Sequence, residues 1–138
     1  MKTSILCTLI SIVLSAVLSQ PVKAQDCIRA TVPFDFNVGK RPLPAGDYCI
    51  SRVAPDVLAI RNLHTGNGIM AVTIPADPSK AENPVLTFKH YYDDSYFLYR
   101  VADAGRGWQF HQSAAENDLL AKKSRSNPVS VAASLSHQ

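Results

Sequence analysis

The sequence predicts a small all-β domain, mainly antiparallel, built as a meander that closes into a sandwich or a small barrel and carries one C-terminal helix. Three observations predict it. Val32, Phe34, Phe36 and Val38 alternate with Thr31, Pro33, Asp35 and Asn37, and a period of two puts one strand face inside and the other in water. Glycine, proline, asparagine and aspartate recur at short intervals along the whole chain, which is the punctuation of short strands. A single helix-start signature, Ser113-x-x-Glu116, supplies the one helix.

Taken in order, Met1 to Ala24 has a basic start at Lys2, an apolar run from Ile5 to Leu18, and Val22-Lys23-Ala24 with small residues before a cut. These are the parts of a signal peptide, and the run is short for a membrane span. The expectation is a chain that is secreted or periplasmic, with residues 1–24 removed, no stable membrane span afterwards, and a single β domain over 25–138. The 14 lysines and arginines lose Lys2 and Lys23 with the signal, leaving 12 against 11 acidic residues. So balanced a charge argues against nucleic acid as a partner.

Cys7 leaves with the signal, and Cys27 and Cys49 remain. Two thiols in an oxidising compartment point to a disulfide. Both are odd-numbered, on the face opposite Phe34, Phe36, Tyr48 and Ile50. Register argues the other way, because a hairpin turning near Pro42 sets Cys49 opposite a residue near 35 and leaves Cys27 roughly 25 Å along the strand, beyond the reach of a disulfide. Either the first strand breaks near Pro33 and returns, or the thiols stay unpaired or link two molecules through Cys27.

Gly39 and Gly46 bracket Lys40-Arg41-Pro42-Leu43-Pro44-Ala45, a stiff connection between two strands. Ala54-Pro55-Asp56 is a turn, Val57 to Ile60 a short strand, His64 to Gly68 a reversal, and Ile69 to Ile74 a further strand. Pro75 to Pro84 reads as a polar loop. Val85 to Tyr91 and Tyr96 to Ala102 form a hairpin; with Asp93-Asp94 as a two-residue turn, Phe88 faces Tyr99 and His90 faces Phe97. After Trp108 to His111, the capping box at Ser113 and Glu116 opens a helix near 114–124, with Leu119 and Leu120 toward the sheet and Lys122, Lys123 and Arg125 near its end. Val129, Val131, Ala133 and Leu135 then alternate as a last strand.

V-P-F-x-F-x-V-G at Val32 to Gly39, L-P-A-G-x-Y at Leu43 to Tyr48, S-x-x-E-x-x-L at Ser113 to Leu119 and V-x-V-A-A at Val129 to Ala133 together resemble a group of small secreted proteins numerous in Acidobacteria. The resemblance spans nearly all of the chain after the signal. It implies a shared β scaffold and brings no activity, and the pair of cysteines is a departure from that group.

Catalytic patterns are sparse. His64, His90, His111 and His137 form no HxH or HExxH arrangement, there is no Cys-x-x-Cys, and no G-x-S-x-G is present. A metal-dependent or other hydrolytic site could be assembled from His90 and His111 with Asp93 or Asp94 on converging strands; the plainer reading is a half-buried histidine beside turn carboxylates. Asp35 reads as a surface ion-pair partner of Arg29, Arg52 or Arg61. Tyr91, Tyr92, Tyr96 and Trp108 carry apolar faces with polar tips, and as an exposed set they suit a sugar or a protein partner; the competing reading is that they brace the hairpin. No cofactor is expected. The function that follows is a non-enzymatic binding or envelope-assembly module, the latter predicting an open strand edge at the Pro33 strand or the C-terminal strand.

Overall fold

The computed structural model describes residues 26–122 and 125–137; the predicted signal segment and Lys123 lie outside them. Eleven strands and one helix follow one another: β1 (Asp26–Val32), β2 (Phe36–Val38), β3 (Arg41–Leu43), β4 (Gly46–Ala54), β5 (Val57–Asn62), β6 (Gly68–Ala76), β7 (Val85–His90), β8 (Tyr96–Ala102), β9 (Gly107–Phe110), α1 (Ala114–Ala121), β10 (Asn127–Ala132) and β11 (Ser134–His137). The fold is all-β with one short helix, as the alternation predicts. Among the described residues no helix is long and apolar enough to cross a membrane.

Hydrogen-bonded neighbours run in the order β10-β7-β8-β9-β6-β5-β4-β1-β11. The two ends of this path are consecutive in the chain, separated by Ala133 alone. The last segment therefore leaves one edge of the sheet and joins the other, curling the path around a common interior. β6 makes the opposite corner, pairing with β5 up to Val57↔Val72 and with β9 from Thr73↔Phe110. Strands that switch sheets in this way make the corners of barrel-like, orthogonally packed sandwiches. At the corner, buried Thr73 gives both its N–H and its hydroxyl to the Asp56 carbonyl, at 2.7 and 3.1 Å. All pairings are antiparallel except a short β2–β8 contact, Asn37↔Phe97.

The opening stretch differs from the straight hairpin expected for it. Pro33 cannot donate to a ladder, and β1 stops at Val32. The chain then makes a separate small hairpin, β2–β3, whose two-residue turn is Gly39-Lys40 rather than a turn near Pro42. Gly39 has φ +60°, the left-handed value that the first central position of such a turn demands. The excursion returns at Gly46, opposite Val32, so β1 and β4 pair with Arg29↔Cys49. Moving the turn by three residues brings Cys27 and Cys49 to disulfide distance, with Cα atoms 5.6 Å apart. The first alternative stated above, a strand that breaks at Pro33 and returns, is the one adopted.

Asp35 serves the same excursion. Its carboxylate accepts the Ala45 N–H at 2.8 Å, and the Tyr48 hydroxyl donates to the Pro44 carbonyl at 2.6 Å. The ion pair expected of Asp35 is replaced by a bond that closes the Leu-Pro-Ala-Gly turn. The other strand of that turn is guarded: β3 pairs only with β2, and Pro42 at its centre has no N–H to offer a further strand.

Even-numbered residues of β1, β2, β4 and β5 fill the interior, among them Val32, Phe36, Tyr48, Ile50 and Ile60. The second sheet contributes Leu86, Phe88, Leu98 and Val101. The hairpin register departs from the expected one, because the turn spans Tyr91 to Ser95, with Asp94 at φ +60°, and a bulge opens at Thr87/Phe88. Phe88 therefore faces Leu98 and His90 faces Tyr96. Leu98 occupies the core position expected of Tyr99, whose ring lies outside beneath the Lys89 ammonium, 4.2 Å from its centre.

The helix is shorter than expected, ending at Ala121 with Lys122 as its cap, and Asn127-Pro128 opens β10. Its capping box forms as read from the sequence: Ser113 Oγ accepts the Glu116 N–H and the Glu116 carboxylate accepts the Ser113 N–H. The residue it buries is Glu116, while Leu120 is exposed. A polar latch does the docking, since the buried Tyr91 hydroxyl donates to Glu116 Oε1 at 3.2 Å. Burial first, and the Glu116 carboxylate second, push the Tyr91 phenol from 10.0 up to about 12. A raised folded value means that this stabilisation is complete below pH 10 and is lost as pH climbs through 12. Denaturant midpoints measured between pH 9 and 12 should fall steeply for the wild type and less for Tyr91→Phe; parallel curves would contradict the latch.

The Pro75 to Pro84 segment is also more tied than its composition suggests. β6 runs on to Ala76, Arg100 donates to the Asp77 carbonyl, Ser79 N–H to Asp103 at 2.7 Å, and Ala133 N–H to Pro84 at 2.9 Å.

Candidate functional site

Three concave surfaces bring chemically capable side chains together. The first holds His90. Its Nε2 lies 3.2 Å from Asp94 Oδ1, its ring stacks on Tyr96 at 4.3 Å, and Tyr91, Tyr92 and Arg125 line the same hollow. His111, exposed beyond β9, does not line it. Asp93 is occupied by its own turn, accepting from the Ser95 N–H and hydroxyl, which hold its carboxyl below the usual value. Among the described residues no three His, Cys, Asp or Glu side chains gather as a metal would need.

The second is a groove beside Ala133, where β1 and the crossing from β10 to β11 diverge. Thr31 and Asp47 line it, and His64 bonds to Asp47. The Thr31 hydroxyl donates to Asp47 Oδ1 at 2.5 Å, and His64 Nε2 lies 2.9 Å from Asp47 Oδ2. The order is wrong for nucleophilic catalysis, which needs the imidazole against the hydroxyl and the carboxylate behind the imidazole. Here the carboxylate sits in the middle, and the two bonds hold Asp47 below its ordinary value.

The third is a bowl of about 270 Å³ at one end of the curled sheet. Period two builds it. Ile28 lies between Leu135 on β11 and Ile50 on β4, and these with Leu58 and Trp108 form an apolar floor. Continuing the same faces outward by two residues reaches Asp26 on β1 and Arg52 on β4, where the interior gives way to the rim. The β8–β9 connection adds Asp103 and Arg106. Asp103 Oδ1 accepts the N–H groups of Gly105 and Arg106 at 2.8 and 2.7 Å, fixing the turn that holds the Arg106 guanidinium 5.9 Å from the centre of the Trp108 ring. Gly107 lets β9 approach: a side chain there would strike the backbone of Ala76 and Asp77. The close carboxylate contacts of His64 and His90, to Asp47 and Asp94, lie away from this bowl.

Of the four aromatics expected to share a binding surface, three lie near one another: Tyr91, buried, and Tyr92, 92% exposed, line the His90 hollow, and Tyr96 stacks between Phe34 and His90. Trp108 is separate from them, 7% exposed in the floor of the bowl. Sequence reasoning missed Arg52, Asp103 and Arg106. The available signal was that the inward faces of β1 and β4 continue past their apolar residues into charges, which marks the open end of a curled sheet. Comparison of the chain with protein-family models, with curated proteins and with solved structures finds no match.

Proposed function

We propose that this protein is a non-catalytic binding module acting outside the cytoplasm, with the bowl at the end of the curled sheet as its ligand site. The observation that carries the reading is the composition of that bowl: an apolar floor containing Trp108, rimmed by charges of both signs, with no nucleophile paired to a base. A concave site with an apolar floor and polar groups converging at its opening is a common form of small-molecule site. The extracytoplasmic part rests on the signal-like pattern of residues 1–24 and on the Cys27–Cys49 bridge, since such bridges persist in oxidising compartments. The Thr31–Asp47–His64 and His90–Asp94 groups are better explained as turn and strand supports than as catalytic machinery.

Trp108 is the only tryptophan in the chain, so the site carries its own reporter. A panel of small apolar, anionic, zwitterionic and sugar compounds, titrated against the purified protein, should include at least one that changes the tryptophan emission saturably and raises the melting temperature, as binding to the native state alone requires. Compounds that raise the melting temperature while leaving the emission untouched would move the site elsewhere and overturn this reading.

A further inference from the structure

We infer that the bowl takes a small zwitterion with an apolar side group, of the class of a free apolar α-amino acid; this rests on the bowl being the ligand site. Size is the first argument. At about 270 Å³ the cavity lies at or below the lower end of the usual range for small-molecule sites, which fits a ligand with one compact side group.

Charge is the second argument. The rim is mixed, with Arg52 and Arg106 opposed by Asp26 and Asp103. A ligand carrying only a carboxylate answers the guanidiniums and faces the Asp103 carboxylate with its own negative charge. An amine alone does the reverse. A zwitterion meets both signs, whereas a ligand with one charge sets an attraction against a repulsion. Arginine suits the carboxylate because its fork of donors matches two oxygens at once. Asp103 suits the ammonium because its Oδ1 is committed to the turn while a carboxylate has acceptor capacity on its second oxygen.

The third argument is the arrangement along the strands. Arg52 lies directly across from Leu58 in the β4–β5 ladder, and Arg106 sits over Trp108. Each guanidinium therefore borders an apolar floor residue, the juxtaposition that a molecule with a charged head one bond from an apolar side group presents.

The test uses L-leucine and L-phenylalanine, with glycine, 4-methylpentanoate and 3-methylbutylamine as partial analogues, read by Trp108 emission and by calorimetry. The two amino acids should bind saturably, and glycine and both single-charge analogues should bind at least tenfold more weakly. Arg106→Gln and Asp103→Asn should each weaken leucine about tenfold. The asparagine oxygen can accept the same two backbone N–H groups, so that variant keeps the turn, and unchanged melting temperatures would establish that both variants fold. Equal binding of 4-methylpentanoate and leucine would overturn the zwitterion and leave the bowl as an anion site. If other compounds of the wider panel change the emission and none of these does, the ligand class is wrong and the site stands. If no compound changes it, both fall.

Discussion

Phe88→Ala should lower stability by about 3–5 kcal/mol, the range for deleting a buried aromatic ring from a packed core. Phe88 is fully buried, and the rings of Phe34 and Phe36 meet it edge-on at 5.1 and 5.3 Å. It thereby joins three pieces that the chain keeps apart: the segment between β1 and β2, β2 itself, and the β7–β8 hairpin. With total stabilities of about 5–15 kcal/mol for ordinary domains, the loss corresponds to a fall in melting temperature of roughly 15 °C or more for a chain of this size. The comparison is Tyr92→Ala, whose ring is 92% exposed and whose removal should stay within about 0.5 kcal/mol. Equal denaturant midpoints for the two variants would contradict the core described here.

Replacing both Cys27 and Cys49 by serine should cost about 3 kcal/mol. The bridge closes a loop with a sequence separation of 22 residues, and the chain-entropy treatment of the unfolded state assigns about that much to a loop of this length. The loop contains the whole β2–β3 excursion, so the bridge fastens its base while Asp35, Pro44 and Tyr48 fasten its neck. Peptide mapping without reductant should yield a linked Cys27–Cys49 fragment, and the double serine variant should unfold at a lower denaturant concentration with a slope at least as steep, because the denatured chain without the crosslink exposes more surface. A variant as stable as the oxidised wild type would contradict the role given to the bridge.

These two effects mark how far the sequence could be read. Period two correctly assigned Val32, Phe36, Tyr48 and Ile50 to one face, because alternation depends only on local backbone geometry. It could not place the break after Val32. Val32 to Val38 alternates throughout, and the decision to leave the ladder at Pro33 and return at Gly46 depends on Asp35 capturing the Ala45 N–H, a contact ten residues apart. Pairing of the cysteines turned on the place of the turn: set at Gly39-Lys40 instead of near Pro42, it makes Arg29 the partner of Cys49. The hairpin misreading has a similar cause: Asp93-Asp94 looks like a two-residue turn, whereas Asp93 is drawn back onto Ser95 and a bulge near Phe88 restores the burial of Leu98.

The candidate site was less legible than the fold. Its aromatic member, Trp108, was legible as an aromatic with a polar tip but grouped with tyrosines that lie apart from it. Arg52 comes from β4 and Asp103 and Arg106 from the β8–β9 connection, and only the curling of the sheet sets them around one opening. Glu116 was legible as a helix cap and illegible as the partner of Tyr91, since that bond spans 25 positions.

The central claim is that the bowl beneath Arg106 is where this protein meets its ligand. It is tested most directly by the indole N–H resonance of Trp108, a single peak in a ¹⁵N-labelled sample. Addition of L-leucine to saturation should move that peak together with the methyl resonances of Ile28, Ile50 and Leu58, leaving the signals of Tyr92 and His90 in place. Saturable shifts confined to the His90 hollow or to the Asp47–His64 groove, with the indole peak unmoved, would contradict it.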